Sequence, residues 1–206
     1  MIDLTKDSGL WTLTLNRPDK ANSLTADMLE HLAEMAEAGA EDETLRGLVL
    51  TGAGDRVFSA GADLEAAKAG LAVSPLWERV SSAIAALPCL TVAALNGTLA
   101  GGAFGMALAC DIRIAVPGAR FFYPVAKLGY LPQPSDPGRL VALVGPARAK
   151  MILLASQKIG CEEALEWGLV DRVVAPDLLI DSARDLVGAA LEGTPDVLRA
   201  IKRMCV

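Results

Sequence analysis

Near the start of the chain Leu10-Trp11-Thr12-Leu13-Thr14-Leu15 sets apolar positions against polar or amphipathic ones, the period of a half-buried strand, and Asn16-Arg17-Pro18-Asp19-Lys20 ends it with turn residues. The period then changes. Met28, Leu29, Leu32, Met35 and Ala36 recur at helical spacing behind Thr25, whose hydroxyl can cap the helix, while Asp27 suits the positive end of its dipole. Leu48-Val49-Leu50 and Leu90-Thr91-Val92-Ala93-Ala94-Leu95 read as buried strands, and between them Trp77, Val80, Ile84 and Leu87 return to helical spacing. A third buried strand over 112–116 follows a helix that begins near Gly102. Further on, Pro146 opens a helix over 146–154, Gly168 ends the next helix, 170–174 reads as a strand, and a helix covers 177–191. Strands alternating with helices, with no repeat and no long linker, predict an α/β fold with crossovers in a single domain over 1–206.

Composition sharpens this picture. With 206 residues, 52% of them hydrophobic, one core is enough to stabilise the chain. The longest apolar region, 87–109, is broken by Pro88, Asn96 and four glycines, which suits a buried strand, turn and helix rather than a membrane span. The first residues lack a basic stretch followed by an apolar run, so no signal peptide is expected and the cytoplasm is the expected compartment. Net charge is −6, from 25 acids against 19 bases, which argues against general nucleic-acid binding. A polyanionic ligand would need local cations, for which Arg17 and Lys20 are candidates. Cys89, Cys110, Cys161 and Cys205 are unevenly spaced, form no C-x-x-C pair and have one histidine in the chain for company. They read as buried small hydrophobes in a reducing compartment, with no metal site.

The candidate chemistry lies in two segments of one design, a short strand running through small residues into a helix start. They are Phe58-Ser59-Ala60-Gly61-Ala62-Asp63-Leu64 and Asn96-Gly97-Thr98-Leu99-Ala100-Gly101-Gly102-Ala103-Phe104-Gly105. A helix start leaves backbone N–H groups without partners, and small side chains let a ligand approach them. Two such donors aimed at one oxygen would stabilise charge developing on a thioester carbonyl. The plainer alternative is that these glycines only permit close helix–strand packing. A dinucleotide site fails on spacing, since no G-x-G-x-x-G occurs, and a phosphate loop fails because no G-K-[ST] follows.

Asn16-Arg17-Pro18, Asn22-Ser23-Leu24, Leu50-Thr51-Gly52, the Phe58-to-Leu64 segment and Asn96-Gly97 through Ala109-Cys110-Asp111 resemble the enoyl-CoA hydratase/isomerase (crotonase) family in order and spacing. Ala119-Arg120-Phe121, Lys127-Leu128-Gly129, Arg139-Leu140 and Glu163-Ala164-Leu165-Glu166-Trp167-Gly168-Leu169-Val170 continue the match over nearly the whole chain. The resemblance implies the ClpP/crotonase-like fold, with repeated ββα units as a core over 1–193. Residues 194–206 would be the start of a C-terminal helical segment that is longer in the family. It further implies oxyanion donors at the N–H groups of Ala62 and Gly102. The coenzyme A part of an acyl-CoA substrate would lie against Lys20, Ala21, Ala60, Gly61, Asp63 and Leu64. No permanently bound cofactor is implied, and the expected assembly is a homotrimer or a dimer of trimers. Asp63 also has a capping role open to it, at the start of a helix through Ala67.

The chain departs from the hydratases of this family at two positions. The first catalytic glutamate position falls at Gly105 and the second at Val125, neither of which can exchange a proton, so hydration is expected to be poor. A catalytic aspartate of other branches falls at Gln133. Asp136 lies three residues on and could reach the pocket, although Pro-Ser-Asp-Pro reads first as exposed-turn chemistry. Tyr123 and Tyr130 are nearby donors, each read first as a packed aromatic. Trp77, Met106 and Leu131 suggest an apolar pocket. Two other classes compete with an enzyme of acyl-CoA thioesters: a non-catalytic acyl-CoA-binding or assembly partner, and a serine peptidase on a related fold. The peptidase requires a Ser–His–Asp set, and the single histidine, His31, falls within the first amphipathic helix.

Overall fold

The computed structural model describes residues 1–205. Strands β1 (Ile2–Asp7) and β2 (Leu10–Leu15) form an antiparallel hairpin, closed by Ser8 and Gly9 with φ of 49° and 88°, the positive pair that a tight hairpin turn requires. β2 buries Leu13 and Leu15 as its alternation predicts. β1 carries Asp3, Lys6 and Asp7 at the sheet edge, where charge discourages further pairing, and its hydropathy pattern is correspondingly weak. Helix α1 (Ala26–Glu41) starts at Thr25, whose hydroxyl accepts the Met28 N–H at 3.3 Å, and buries Met28, Leu29, Leu32 and Ala36. His31 lies on its exposed side.

The next strands come in pairs, one for each of two sheets. β3 (Gly47–Gly52) joins the large sheet and β4 (Val57–Ser59) the small one, followed by α2 (Leu64–Lys68) and α3 (Leu76–Ala85). β5 (Leu90–Leu95) and β6 (Thr98–Ala100) repeat the division and lead into a single 3-10 turn, Gly101–Ala103, and α4 (Phe104–Ala109). β7 (Ile112–Ala115) and β8 (Arg120–Phe122) do so again before α5 (Val125–Leu128) and α6 (Asp136–Leu153). After these come β9 (Ile159–Gly160), α7 (Cys161–Trp167), β10 (Arg172–Val173), α8 (Leu179–Glu192) and α9 (Pro195–Met204). The large sheet has the order β1-β2-β3-β5-β7-β10, parallel from β2 onward, and the small sheet the order β4-β6-β8-β9. This is the expected α/β architecture of repeated ββα units.

Two buried asparagines hold the strand pairs in place. The Asn22 amide donates to the carbonyls of Ala53 and Val57 at 2.9 and 2.8 Å, and that of Asn96 donates to Gly54 at 2.8 Å while its oxygen accepts the Gly52 N–H at 3.1 Å. A side chain at Gly97 would place Cβ 2.1 Å from the Arg56 carbonyl oxygen, so the turn between β5 and β6 closes only on glycine.

Several elements differ from the sequence expectation. The strand over 170–174 shrinks to Arg172–Val173 because the Val170 N–H is taken by the Ala164 carbonyl at the end of α7, where Gly168 caps the helix at φ 79°. The helix opened by Pro146 belongs to a longer one, broken at Gly145 with φ 79° and ψ 164°. Cys89, Cys110 and Cys161 are buried, but Cys205 is exposed, since it follows α9, a helix that buries none of its residues. Burial pushes the thiols of Cys89 and Cys110 up to about 12, so they stay protonated and unreactive. Among the described residues no helix is long and apolar enough to cross a membrane.

Candidate functional site

β4 and β6 are parallel neighbours, so the turns leaving their ends, Ala60-Gly61-Ala62 and Gly101-Gly102, lie side by side. The approach is close. A Cβ on Gly61, where φ is 86°, would fall 3.0 Å from the Ala100 oxygen and 3.4 Å from the Gly102 nitrogen, and one on Gly102 would fall 2.9 Å from the Trp77 indole. Leu24 docks alongside, donating its N–H to the Gly61 oxygen and accepting the Asp63 N–H, both at 2.8 Å. That parallel bridge turns the Ala62 N–H the other way, without a backbone partner among the described residues. Gly102 is the second residue of its 3-10 turn, where no carbonyl of the turn can reach its N–H.

Both turns open onto a cavity of about 250 Å³ whose wall includes Ala62, Leu64, Trp77, Gly102, Tyr123 and Val125. Ala60 and Leu131 also line it, whereas Met106, expected in the pocket, is packed in the core. Gly61, between two lining residues, packs against Ala100 and Gly102 instead. Asp63 caps α2, accepting the N–H groups of Glu65 and Ala66 at 3.0 and 3.3 Å, and pairs with Arg17 at 2.8 Å. The hydrogen bond from Arg17, together with these N–H groups, holds its carboxyl below the ordinary range. Arg17 is thereby engaged within the protein. Lys20 is exposed at the end of the turn Pro18–Lys20, and Ala21 stands behind the wall, its carbonyl accepting the Ala60 N–H at 3.0 Å.

Behind the inner wall, at Tyr123, lies Asp136, which the sequence offered as a residue that could reach the pocket but read first as part of an exposed turn. Asp136 is not an exposed turn residue: it opens α6 and is fully buried. Its Oδ2 accepts the Tyr123 hydroxyl at 2.8 Å, and its Oδ1 has no partner among the described residues. A Cβ on Gly105 would fall 2.8 Å from that Oδ1, so the carboxylate occupies the space that a side chain at 105 would need. Glu78 on α3 anchors the approach to α6, accepting both the N–H (3.1 Å) and the hydroxyl of Ser135. Burial acts to raise the Glu78 carboxyl, but its bonds from Ser135 and Ser82 outweigh this and hold it low. Burial pushes Asp136 up to about 6, against the lowering effects of the Tyr123 bond and Arg139. Burial and the Asp136 charge push the Tyr123 phenol well above its ordinary value. The Tyr123 ring stacks on Phe104 with centroids 5.3 Å apart. Tyr130 is exposed where Tyr123 is buried, and it lines the same cavity, as does Gln133. Nothing local in Pro-Ser-Asp-Pro signals burial. The signal is a pair, a glycine at 105 and a carboxylate at 136 that fills its place.

A family model described as enoyl-CoA hydratase/isomerase matches residues 5–206. The chain is 35% identical to the carnitinyl-CoA dehydratase of Escherichia coli K12 over 207 aligned residues, which cover 98% of this chain and 79% of that protein. Among solved structures, DspI of Pseudomonas aeruginosa superposes with a TM-score of 0.91 at 32% identity, covering 99% of this chain and 85% of that one. An enoyl-CoA hydratase from Bacillus anthracis gives 0.89 at 32% identity, covering 98% and 81%. With this match in sequence and in the arrangement of its ββα units, the chain belongs to the enoyl-CoA hydratase/isomerase family and has the crotonase fold.

Proposed function

We propose that this protein is an acyl-CoA enzyme in which the N–H groups of Ala62 and Gly102 together hold the thioester oxygen as it gains negative charge. The observation that carries this reading is the pairing of two unpartnered backbone donors, from neighbouring turns, on the wall of one largely apolar cavity. Each donor aimed at a developing oxyanion is worth roughly 3–4 kcal/mol in the transition state. Coenzyme A arrives with the substrate, its nucleotide end along Lys20, Ala21 and the Ala60-Gly61-Ala62-Asp63-Leu64 backbone, and no resident cofactor takes part. The working assembly is a homotrimer or a dimer of trimers in the cytoplasm, which light scattering at micromolar concentration tests directly. The absence of ionisable side chains at Gly105 and Val125 favours one second reading, an acyl-CoA binder without turnover.

The test deletes one N–H at a time. Proline serves poorly at 102, where its Cβ would meet Trp77 at 2.9 Å. Replacing Ala62 by lactic acid, or Gly102 by glycolic acid, turns the amide into an ester and removes only the donor. On the acyl-CoA that the native protein converts fastest, either ester is expected to lower turnover about 10²–10³-fold with folding intact. Full activity in either would remove that donor from the site. Binding of acyl-CoA with no turnover of any ester in a panel would establish the second reading.

A further inference from the structure

We propose that Tyr123 is the catalytic proton carrier of this cavity and that Asp136, behind it, is the positioning residue that receives the Tyr123 proton; the proposal rests on the oxyanion reading above. Three observations support it. Tyr123 is on the cavity wall with Ala62 and Gly102, whereas Asp136 is not, and the Tyr123 hydroxyl donates to Asp136, which ties the buried carboxylate to a wall residue. Asp136 is fully buried with one carboxylate oxygen unpartnered, an arrangement that a purely structural residue has no need to keep. Gly105 leaves the room that this carboxylate occupies, since a Cβ there would fall 2.8 Å from Oδ1. The acid missing from position 105 of α4 is thus replaced in space by one from the start of α6.

The charges around Asp136 set its resting form. Glu78 of α3 adds negative charge, Arg139 of α6 adds positive charge, Tyr123 donates its hydrogen bond, and α4 presents no ionisable group. With its carboxyl near 6, Asp136 is mainly ionised at neutral pH and Tyr123 holds its proton, so the pair rests ready to accept one. In the forward step the bond between hydrogen and the carbon next to the thioester breaks. That proton passes to the Tyr123 oxygen as the Tyr123 proton passes to Asp136 Oδ2. The C–H electron pair moves into the enolate, whose oxygen lies between the Ala62 and Gly102 N–H groups. Reversal returns a proton to the same carbon or, in an unsaturated chain, two carbons further on. The chemistry is therefore proton exchange and double-bond migration in acyl-CoA thioesters, and it consumes no co-reactant.

Butyryl-CoA, which can neither hydrate nor isomerise, isolates the step when it is incubated with the protein in D2O and deuterium uptake is followed by mass spectrometry. The native protein is expected to exchange the hydrogens next to the thioester, with a rate that rises with pH through about 6 and then levels. Asp136→Asn, which keeps the side-chain shape, should lower the rate about 10²-fold or more and abolish that rise, and Tyr123→Phe should lower it similarly. The double variant should be no slower than either single one, because the two act as a unit. Calorimetric affinity for butyryl-CoA should stay within a few-fold in all of them. An Asp136→Asn protein that exchanges at the native rate, or keeps the same pH profile, overturns the pair, and so does a fully active Tyr123→Phe. Native protein that binds butyryl-CoA without exchanging it also overturns the pair but leaves the oxyanion reading standing. Failure to bind any acyl-CoA overturns both.

Discussion

In the wall built by residues 59–64, side-chain polar groups are matched: Asp63 accepts from Arg17, Glu65 and Ala66, and Ser59 donates to the Asn22 carbonyl at 2.8 Å and accepts the Gly61 N–H at 3.2 Å. The donor left over, the Ala62 N–H, belongs to the backbone. Behind the opposite wall a buried carboxylate, that of Asp136, keeps one oxygen without a partner among the described residues, a situation that costs roughly 1–3 kcal/mol or more. The contrast separates two requirements of such a site. A donor for an oxyanion can be left free by a well-satisfied frame, at little cost in stability. A base near neutrality has to be held in an environment that disfavours its charge, and the fold carries that cost.

The largest expected effect sharpens the chemical side of this contrast. Hydration needs groups that activate water as well as a carbon acid partner, and position 125 supplies an apolar side chain. Loss of crotonyl-CoA absorbance should therefore run about 10²–10⁴-fold below the 1–10³ s⁻¹ typical of enzymes. A rate within that range would show that one proton pair suffices for hydration.

Next in size is the effect of pH on stability through Asp136. Its carboxyl lies at about 6 in the folded chain against an ordinary 3.8, so the folded state binds a proton more readily than the unfolded one. The stability this represents is fully present below about pH 4 and is lost as pH rises through 6, a loss of about 3 kcal/mol. Asp136→Asn carries no charge to bury. It should be more stable than the native protein by about 2–3 kcal/mol at pH 8, or roughly 5–10 °C in melting temperature, and gain nothing at pH 4. Urea melts at the two pH values decide this, and an equal difference at both would mean that Asp136 is not held in a charge-disfavouring site.

Gly105→Ala comes third, and its sign depends on Asp136. The added methyl gains about 1 kcal/mol of helix propensity but collides with the carboxylate 2.8 Å away, which Tyr123 holds in place. Overpacking of this kind costs about 1–3 kcal/mol, so a net loss near 1 kcal/mol is expected. In an Asp136→Ala background the obstacle is gone, and the same methyl should stabilise. A double-mutant cycle without that reversal would place the carboxylate elsewhere.

The difference between the walls also explains what the sequence made legible. The glycine turns, the Thr25 cap, the strands at Leu48-Val49-Leu50 and Leu90–Leu95 and the Gly168 cap are local: each depends on residues within a few positions, and each forms as expected. The capping role of Asp63 is equally local. β8 and β9 are too short to show a period, and β10 loses Val170 to a helix end that no strand pattern announces. Asp136 is the informative failure. Its tetrapeptide favours an exposed turn, while its burial depends on the missing side chain at 105 and on the grip of Glu78 on Ser135, 57 residues apart in the chain.

Asp63→Ala should have the smallest effect, confined to its own wall. The Asp63 carboxyl is held below its ordinary value, chiefly by Arg17. Its contribution is therefore present at neutral pH and lost as pH falls below about 4, opposite in sign to the dependence expected of Asp136. Removing it unpairs Arg17 and leaves the N–H groups of Glu65 and Ala66 without their acceptor. α2 is only five residues long and buries none of them, so it should fray while the core stays as it is. Hydrogen exchange should accelerate at Glu65 and Ala66 with little change in global melting. The Ala62 N–H does not depend on the cap directly, because Leu24 grips the backbone on either side of it through Gly61 and Asp63. Acyl-CoA turnover should accordingly fall by no more than a few-fold. A loss as large as that of the Ala62 ester would show that the cap, and not the Leu24 bridge, holds the donor in place.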